Sequence, residues 1–387
     1  MKKLKVFETF SGIGAQHKAL TNIFNNQNFI KNYKLYNKTF EIVATSEWYI
    51  NAIISYDIIH NNKQNNFKNY NNLDKDKMLS FIETFNLSKD SKDLYDFKLI
   101  KKFKYEKIRE LYIALKRNKN YGSILNIKTI NLPKIDLLTY SFPCQDISKI
   151  GYQKGLKEEN NTRSGLLWEI KRLLIEMKEL NKLPKFLLME NVKTLLSDKH
   201  YNDWLKFDIF LKNLGYKNTT IFLDARDFGI PQSRERVFCI SELNGKTNII
   251  PTYYNKFNST LSDFLDINND KYKEEQKNCI INNTKSRIRM TTNKNLTIKN
   301  DWTLTLTTKQ DRHPNSGVFE YPNKIENKLQ FRYITPRECM LLMGFNNEDF
   351  DKLKSINMKK DEIYKLTGNS IVVQILESIF LEILKRF

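Results

Sequence analysis

The stretch TYSFPCQDIS, residues 139–148, places Cys144 directly after Pro143, where an apolar run ends. A thiolate is a strong nucleophile that forms covalent intermediates, so this cysteine is a candidate for nucleophilic catalysis. A lone cysteine is more often a small buried apolar residue, and its neighbours must decide between the two interpretations. The preceding KIDLLTYSF is typical of a buried strand, and a proline cannot continue a central ladder. We therefore expect Cys144 in a sharp turn at the carboxyl end of a strand, the edge where open α/β sheets bind ligands.

Two other segments could add polar groups at the same edge. LPKFLLMENV reads as an apolar strand that ends in Glu190, and QSRERVF places Gln232, Arg234 and Arg236 before another strand. A carboxylate at a strand end can cap or pair locally, and alternating arginines can form an exposed edge. Guanidinium groups also bind bases and phosphates. A common edge with Cys144 favours a shared site.

The amino-terminal residues have the pattern of a nucleotide site. Residues 4–10 predict a strand, SGIGAQHKALTNIF a glycine turn that opens into a helix, and residues 40–48 a second strand that ends in Glu47 and Trp48. Glycines allow a close backbone approach to a ligand, and an acidic residue after the second strand can accept ribose hydroxyls. The third glycine of the dinucleotide fingerprint is missing. A nucleoside ligand without a pyrophosphate is therefore more natural here than NAD.

The composition narrows the class of protein. The 387 residues carry 64 Lys+Arg against 44 Asp+Glu, a net charge of +20, which favours a polyanionic partner such as nucleic acid. An Asn- and Lys-rich composition that follows an AT-rich genome would give the same bias. The four cysteines lack CxxC or Cys/His spacing, so neither a metal site nor a disulfide framework is expected. Without an apolar leader or an uninterrupted 18-residue apolar run, we expect a soluble, cytoplasmic protein that does not enter a membrane.

The order of these patterns predicts a Rossmann-like α/β fold with a second, smaller domain. Residues 1–242 would form the catalytic and cofactor-binding domain, and residues 243–330 a mostly β or irregular target-recognition domain. Residues 331–387 would return to the catalytic domain. The lysine-rich segment 98–130 predicts an amphipathic basic helix, either a solvated face or a contact to a DNA backbone. The glycines around residues 148–165 predict a mobile lid.

Eight blocks of the sequence, taken together and in order, resemble the DNA cytosine-5 methyltransferase family over nearly the whole chain. They are FETFSGIGA, SEW, SFPCQDIS, TRSGLLWEI, LLMENV, QSRERVF, RYITPRECMLLMGF and GNSIVV. The stretches SFPCQDIS, NTRSGLLWEI and LPKFLLMENV are especially similar to bacterial members that methylate CpG. The resemblance implies the S-adenosylmethionine-dependent methyltransferase fold, with double-stranded DNA as substrate and S-adenosylmethionine as methyl donor.

The resemblance also implies a role for each matched residue. Cys144 would attack C6 of a cytosine flipped out of the duplex, Glu190 would bind or protonate N3, and Arg236 would contact the base with support from Arg234. The cofactor-binding positions would be Phe10, Ser11, Gly12, Ile13, Gly14, Glu47, Trp48, Asn126, Pro143, Leu166, Asn369 and Ile371. The DNA-binding positions would be Gln145, Ser148, Arg163, Gln232, Arg287, Arg289, Lys309 and Arg312.

Departures from the family pattern leave alternatives to weigh. Asn126 stands where many relatives have an aspartate that contacts the adenine amine, although its carbonyl can accept the same hydrogen bond. A tRNA cytosine-5 methyltransferase would have less need for a sizeable variable domain, because RNA is read through unstacked bases and shape. A catalytically inactive DNA-binding relative is disfavoured by the joint presence of Cys144, Glu190, Arg234 and Arg236. Monomeric action is expected, with a restriction endonuclease as a possible partner.

Overall fold

The computed structural model describes residues 1–61, 73–143, 164–252, 259–265, 270–292 and 301–387. In these ranges the strands are β1 (Lys2–Thr9), β2 (Lys38–Ser46), β3 (Leu137–Tyr140), β4 (Phe186–Val192), β5 (Tyr216–Asp224), β6 (Gln232–Ser233), β7 (Glu235–Leu243), β8 (Ile280–Asn282), β9 (Thr303–Leu304), β10 (Val318–Glu320) and β11 (Lys328–Tyr333). The helices are α1 (Ala15–Asn25), α2 (Gln27–Asn32), α3 (Ile50–His60), α4 (Lys75–Glu83), α5 (Phe97–Ile100), α6 (Tyr105–Arg117), α7 (Leu167–Glu179), α8 (Asp198–Asn213), α9 (Lys273–Lys277), α10 (Lys285–Thr291), α11 (Pro336–Leu341), α12 (Asn347–Ser355), α13 (Lys360–Gly368) and α14 (Val373–Arg386).

The chain divides into two compact units. Unit 1 contains Met1–Leu223, Glu235–Thr252 and Glu377–Phe387, and unit 2 contains Asp224–Arg234 and Tyr253–Leu376. This division differs from the predicted one, because residues 331–376 belong to unit 2 and only residues 377–387 return to unit 1. The physical reason is local packing: α11 packs against α12 and α13, and β6 pairs with β9 inside unit 2.

Unit 1 is built on a six-stranded sheet, which confirms the predicted α/β fold. The strand order is β2-β1-β3-β4-β7-β5. β1 pairs in parallel with β2 and β3, β3 pairs in parallel with β4, and β7 is antiparallel to β4. Since β1, β2, β3 and β4 run in one direction, their carboxyl ends meet at the same edge. This is the edge at which ligands bind in open α/β sheets.

The core of unit 1 explains why the central strands have continuous apolar sequences. All four residues of β3 and the first four of β4 are buried. Leu173 and Leu174 of α7 and Phe207 of α8 pack against these strands in one hydrophobic cluster. Strands covered by neighbouring elements lose the polar alternation of a half-exposed sheet. The packing fixes the edge from which the candidate site residues project.

The lysine-rich segment 98–130 is not one amphipathic helix. α5 ends at Ile100 and α6 begins at Tyr105, while residues after Arg117 form turns. Leu99 is 40% exposed, whereas Leu111 and Leu115 on α6 are buried. The carboxylate of Asp96 accepts the backbone N–H of Lys98 and caps the four-residue α5. The helix α6 starts separately, after Lys104.

Unit 2 contains a three-stranded antiparallel sheet, β10-β11-β8, and the parallel pair β6–β9. The predicted target-recognition region thus contains short strands, together with the helices α9 and α10. One stretch, Lys360–Arg386, has the length and composition of a membrane-spanning helix, and 72% of its most apolar window is buried inside the structure.

A buried ion pair stabilises the start of α11. Both guanidinium NH2 groups of Arg332 donate to the carboxylate of Glu338 at 2.8 Å, and the two side chains are 2% and 4% exposed. Glu338 also accepts the backbone N–H of Thr335 at 2.7 Å, while the Thr335 hydroxyl accepts from the Glu338 N–H at 3.1 Å. This reciprocal pair is a capping box. It joins β11 to α11 through RYITPRE, which belongs to one of the eight blocks named above.

We predict that Glu338→Ala lowers the free energy of unfolding by about 3–5 kcal/mol, because the Arg332 charge stays buried without its partner. Urea denaturation measures the change. Lys354→Ala is the control: its ammonium pairs with Glu275 at 2.9 Å but is 63% exposed, so its loss should cost at most about 1 kcal/mol. Equal losses in the two variants would contradict the prediction.

Candidate active site

The turn between β1 and α1 has the backbone geometry of a ligand-binding loop. Phe10, Gly12 and Gly14 have φ values of 53°, 53° and 77°. A Cβ added to Gly14 would lie 2.4 Å from Nε2 of His60, so glycine is required there. A Cβ added to Gly12 would meet no heavy atom within 4 Å, which leaves open space beside that backbone. Phe10 holds a left-handed conformation that side chains disfavour, and such strain is common at functional sites.

Glu47 connects this loop to the end of β2. Its Oε2 accepts the backbone N–H of Gly12 at 3.0 Å. Its Oε1 accepts the N–H groups of Trp48 and Tyr49, each at 2.9 Å, where α3 begins. A carboxylate oxygen is the type of acceptor that a ribose hydroxyl requires. The predicted ribose partner therefore also fixes the loop.

The two predicted aromatic contacts follow neighbouring parallel strands, Phe10 after β1 and Trp48 after β2. Phe10 and Trp48 are both half-buried. Phe10 and Leu166 pack at the margin of the unit 1 core, next to α7. Both aromatic residues are partly exposed, and side chains of this kind can contact a planar base.

Asn126 lies on a turn that a buttress from α7 holds in place. It ends the 3-10 turn Ile124–Asn126, and its side chain is exposed. Arg172 donates to the carbonyl oxygens of Ile124 at 3.2 Å and of Ile127 at 3.1 Å. Glu176 accepts from Arg172 at 2.6 Å. Sequence reasoning missed Arg172, because only its helical spacing from acidic residues was visible.

The carboxyl ends of β3 and β4 are joined by one side chain. The amide of Asn191 donates to the carbonyl oxygen of Phe142 at 3.0 Å, and Asn191 is 2% exposed. Phe142 and Pro143 directly precede Cys144 in the sequence. Cys144 itself, Gln145, Ser148, Arg163 and the predicted lid up to residue 163 lie outside the described residues. The structure thus gives Asn191, the second-last residue of β4, a specific partner.

Glu190 and Arg236 lie together on adjacent strands. In the antiparallel ladder of β4 and β7, Glu190 is opposite Phe238 and Val192 is opposite Arg236. Nε of Arg236 is 3.5 Å from Oε1 of Glu190, and the two side chains are 14% and 12% exposed. Arg236 also donates to the backbone carbonyl of Glu235 at 2.8 Å. The structure thus pairs two of the predicted catalytic residues as a largely desolvated ion pair.

Arg234 and Gln232 support the interior of unit 2. Arg234 is 3% exposed and donates to the carbonyl oxygens of Leu306, Gly368 and Ser370 at 2.8–3.1 Å. Gln232 is fully buried and bonds through its amide to the backbone of Leu306 and Leu342. The structure does not expose Gln232 as a DNA contact, because its amide is used by backbone groups.

The other predicted residues of unit 2 differ in exposure. Arg289, Lys309 and Arg312 are exposed. Arg287 is half-buried, donates to the carbonyl oxygen of Arg312 at 3.2 Å and lies over the ring of Tyr333. Asn369 caps α13 and is exposed, while Ile371 is buried.

The three described cysteines are structural. Cys239, Cys279 and Cys339 are free thiols with 0–2% exposure. Burial raises the pKa of Cys239 to about 11 and also raises the pKa values of Cys279 and Cys339. Thiols with raised pKa values are poor nucleophiles near neutral pH. Among the residues that the structure describes, no group of three or more His, Cys, Asp or Glu side chains could hold a metal ion.

Comparisons with known proteins agree with the resemblance. The profile of the family described as C-5 cytosine-specific DNA methylase matches residues 78–385. The Type II methyltransferase M2.ScrFI of Lactococcus lactis subsp. cremoris is 38% identical, over 99% of both chains. The orphan methyltransferase M.SssI of Spiroplasma monobiae is 36% identical, over 98% of this chain and 96% of its own length.

Solved structures show the same fold. The S. pombe Dnmt2 methyltransferase superimposes on this chain with a TM-score of 0.62 at 19% identity, over 98% of both chains. The Entamoeba histolytica methyltransferase EhMeth gives 0.61 at 18% identity, over 99% of this chain and 98% of its own. Together with the full-length relatives, these similarities lead to one conclusion: the chain belongs to the C-5 cytosine-specific DNA methylase family, and is a DNA cytosine-5 methyltransferase that uses S-adenosylmethionine.

Proposed function

We propose that Cys144 is the nucleophile of the methyl transfer and that Glu190 and Arg236 bind the target cytosine. The observation that carries this assignment is that the Phe142 carbonyl, Glu190 and Arg236 lie at one edge of the sheet. Asn191 holds the carbonyl two residues before Cys144, and the Glu190–Arg236 pair lies at the end of the neighbouring strands. The three described thiols are buried with raised pKa values, which makes them unsuitable for attack.

The chemistry follows from these groups. The Cys144 thiolate adds to C6 of cytosine, which removes the aromaticity of the ring and gives C5 carbanion character. Glu190 binds N3 and stabilises the electron density that moves toward that nitrogen during the attack. Arg236 compensates the carboxylate charge and contacts the base. Once C5 has taken the methyl group, loss of the C5 proton to a base and of the Cys144 thiolate from C6 restores the aromatic ring.

The loop after β1 has the features that S-adenosylmethionine requires. The open space beside Gly12 leaves room for a ligand, and the Glu47 carboxylate beside it is the type of acceptor that ribose hydroxyls require. We propose that Phe10 and Trp48 contact the adenine and that Asn126 accepts its amine. The remaining positions assigned to the cofactor from the resemblance are Ser11, Ile13, Gly14, Pro143, Leu166, Asn369 and Ile371. When bound, the cofactor supplies the electrophilic methyl group.

The proposed substrate is a cytosine in a short duplex sequence, with CpG as the context that the core blocks favour. The base must leave the stack, at a cost of a few kcal/mol. Exposed Arg289, Lys309 and Arg312 in unit 2 suit contacts to guanine edges or phosphates. We further propose that the protein acts as a monomer in the cytoplasm, either with a cognate restriction endonuclease or as a solitary methylase.

We predict that plasmid DNA from cells expressing the chain carries 5-methylcytosine in one short context, and that Cys144→Ser abolishes it. A serine hydroxyl is a far weaker nucleophile than a thiolate near neutral pH. Bisulfite sequencing measures both the activity and the recognition sequence. Methylation by the serine variant, or methylation of tRNA instead of DNA by the unchanged protein, would contradict the assignment.

For Glu190→Gln, we predict a kcat about 10²- to 10³-fold lower, because the amide keeps the size of the side chain but cannot provide a carboxyl proton or charge. Binding of S-adenosylmethionine should stay within about threefold of the original value. Steady-state kinetics with tritiated cofactor and calorimetric binding give the two quantities. An unchanged kcat would exclude Glu190 from the chemistry.

The Arg172 buttress predicts a cofactor-specific effect. Arg172→Lys keeps the charge but cannot reach both carbonyl oxygens in a fork, so affinity for S-adenosylmethionine should fall about fivefold to tenfold. Lys178→Ala, at an exposed position of the same helix, is the control and should change nothing. If both variants bind the cofactor equally well, Arg172 does not position Asn126.

A further inference from the structure

A chain of four buried or partly buried side chains runs behind the glycine loop. Glu8 lies on β1, His17 on α1, and Tyr56 and His60 on α3. The Tyr56 hydroxyl is 2.8 Å from Oε2 of Glu8 and 3.0 Å from Nδ1 of His17. The His17 ring stacks on the His60 ring with 4.3 Å between centroids and 11° between planes. His60 completes the chain, because its Nε2 lies 2.9 Å from the carbonyl oxygen of Ile13.

The chain is in direct contact with the loop. A Cβ at Gly14 would lie 2.7 Å from Cε2 of Tyr56 and 2.4 Å from Nε2 of His60. On its other side, the loop is held by the bond from the Gly12 N–H to Glu47. The backbone between Gly12 and Gly14 therefore depends on two anchors. One is the partly buried Glu47 carboxylate, and the other is the chain of Glu8, Tyr56, His17 and His60.

Two of the members are held neutral near pH 7. Glu8 is 0% exposed, and this burial raises its pKa to about 8. Burial, with further contributions from His60 and Lys18, lowers the pKa of His17. Among the residues that the structure describes, none is a hydrogen-bond partner of Oε1 of Glu8, which is far less costly for a neutral acid than for a carboxylate. A further charged group near the chain, Asp57, accepts from Nε of Arg117 at 2.8 Å.

The protonation state of Glu8 decides the direction of the hydrogen bonds. A neutral carboxyl group can donate to the Tyr56 oxygen, which leaves the phenol proton for Nδ1 of His17. An ionised carboxylate can only accept, so the phenol must donate to Glu8, and His17 must then supply a proton from Nδ1 or lose its bond. A change of the His17 tautomer would alter the electrostatic environment of the stacked His60 ring. His60 in turn donates a hydrogen bond to the loop.

We propose that Glu8, Tyr56, His17 and His60 are positioning residues for S-adenosylmethionine, which hold the backbone of Gly12–Gly14 in its binding conformation without contacting the cofactor. The inference rests on the proposal that this loop binds the cofactor. It explains why a carboxyl group and two imidazoles are buried where apolar side chains would pack at lower cost. It also predicts an effect on cofactor binding that is separable from the chemical step.

The test is calorimetric binding of S-adenosylmethionine to the full chain at pH 7, without DNA. Tyr56→Phe and His60→Ala each remove one link and should weaken binding about tenfold. His60→Gln keeps an N–H donor and should restore most of the loss. Tyr216→Phe is the matched control, since it removes a buried phenol bond, 2.7 Å to the Pro184 carbonyl, on β5. Its cofactor affinity should be unchanged.

Steady-state kinetics should agree with the binding data. The weakened variants should show a raised KM for S-adenosylmethionine, while kcat at saturating cofactor and KM for DNA stay within about twofold. The isosteric Glu8→Gln variant provides a second test, and it keeps the shape of the neutral acid. In the unchanged protein, affinity should fall as the pH rises from 7 to 9, because Glu8 ionises in this range. In Glu8→Gln this fall should be much smaller.

Three results would overturn the inference: unchanged cofactor affinity in folded Tyr56→Phe and His60→Ala, the same loss in Tyr216→Phe, or parallel pH profiles for the unchanged protein and Glu8→Gln. A Glu47→Ala variant separates this failure from failure of the proposed site. If Glu47→Ala loses affinity and the chain variants do not, the loop binds the cofactor and only the positioning role is wrong. If none of the variants loses affinity, the cofactor site itself is wrong.

Discussion

The direction shared by β1, β2, β3 and β4 is the constraint on which the rest of unit 1 depends. Parallel strands deliver their carboxyl ends to one edge, so the glycine loop, Glu47, the Phe142–Pro143 turn and Glu190 come from segments far apart in the sequence and meet there. β7 enters this sheet antiparallel, which brings the beginning of that strand, with Arg236, to the end of β4. The antiparallel strand β7 thus places the Arg236 guanidinium beside the Glu190 carboxylate of the parallel strand β4.

Hydrogen bonds from side chains to backbone groups hold this edge in shape. Glu47 accepts three backbone N–H groups, Asn191 donates to the carbonyl oxygen of Phe142, and Arg172 donates to two carbonyl groups around Asn126. Turns cannot satisfy their backbone groups with a ladder, and burial without partners costs about 1–3 kcal/mol for each group. The same bonds that satisfy the turns also fix the positions that a ligand would contact.

The sequence predicted the order of elements and the residues at strand ends, but not the supports behind them. Strand 4–10 was observed at Lys2–Thr9 and strand 40–48 at Lys38–Ser46, because apolar patterns report burial directly. Arg172, Asn191 and buried Gln232 act on backbone atoms 45–110 positions away, which leaves no periodic trace. Residues 331–376 belong to unit 2 because of the packing among its short helices. That packing is equally invisible in the pattern.

Burial also decides which thiol is available for chemistry. The described cysteines lie in apolar surroundings, where the thiolate is disfavoured and the pKa rises. Cys144 instead follows a proline and precedes a polar, basic stretch of sequence. A family that works through a covalent bond to cytosine requires one reactive thiol and no competing ones. In this chain, Cys239, Cys279 and Cys339 fill the core, which supports the proposal that Cys144 is the nucleophile.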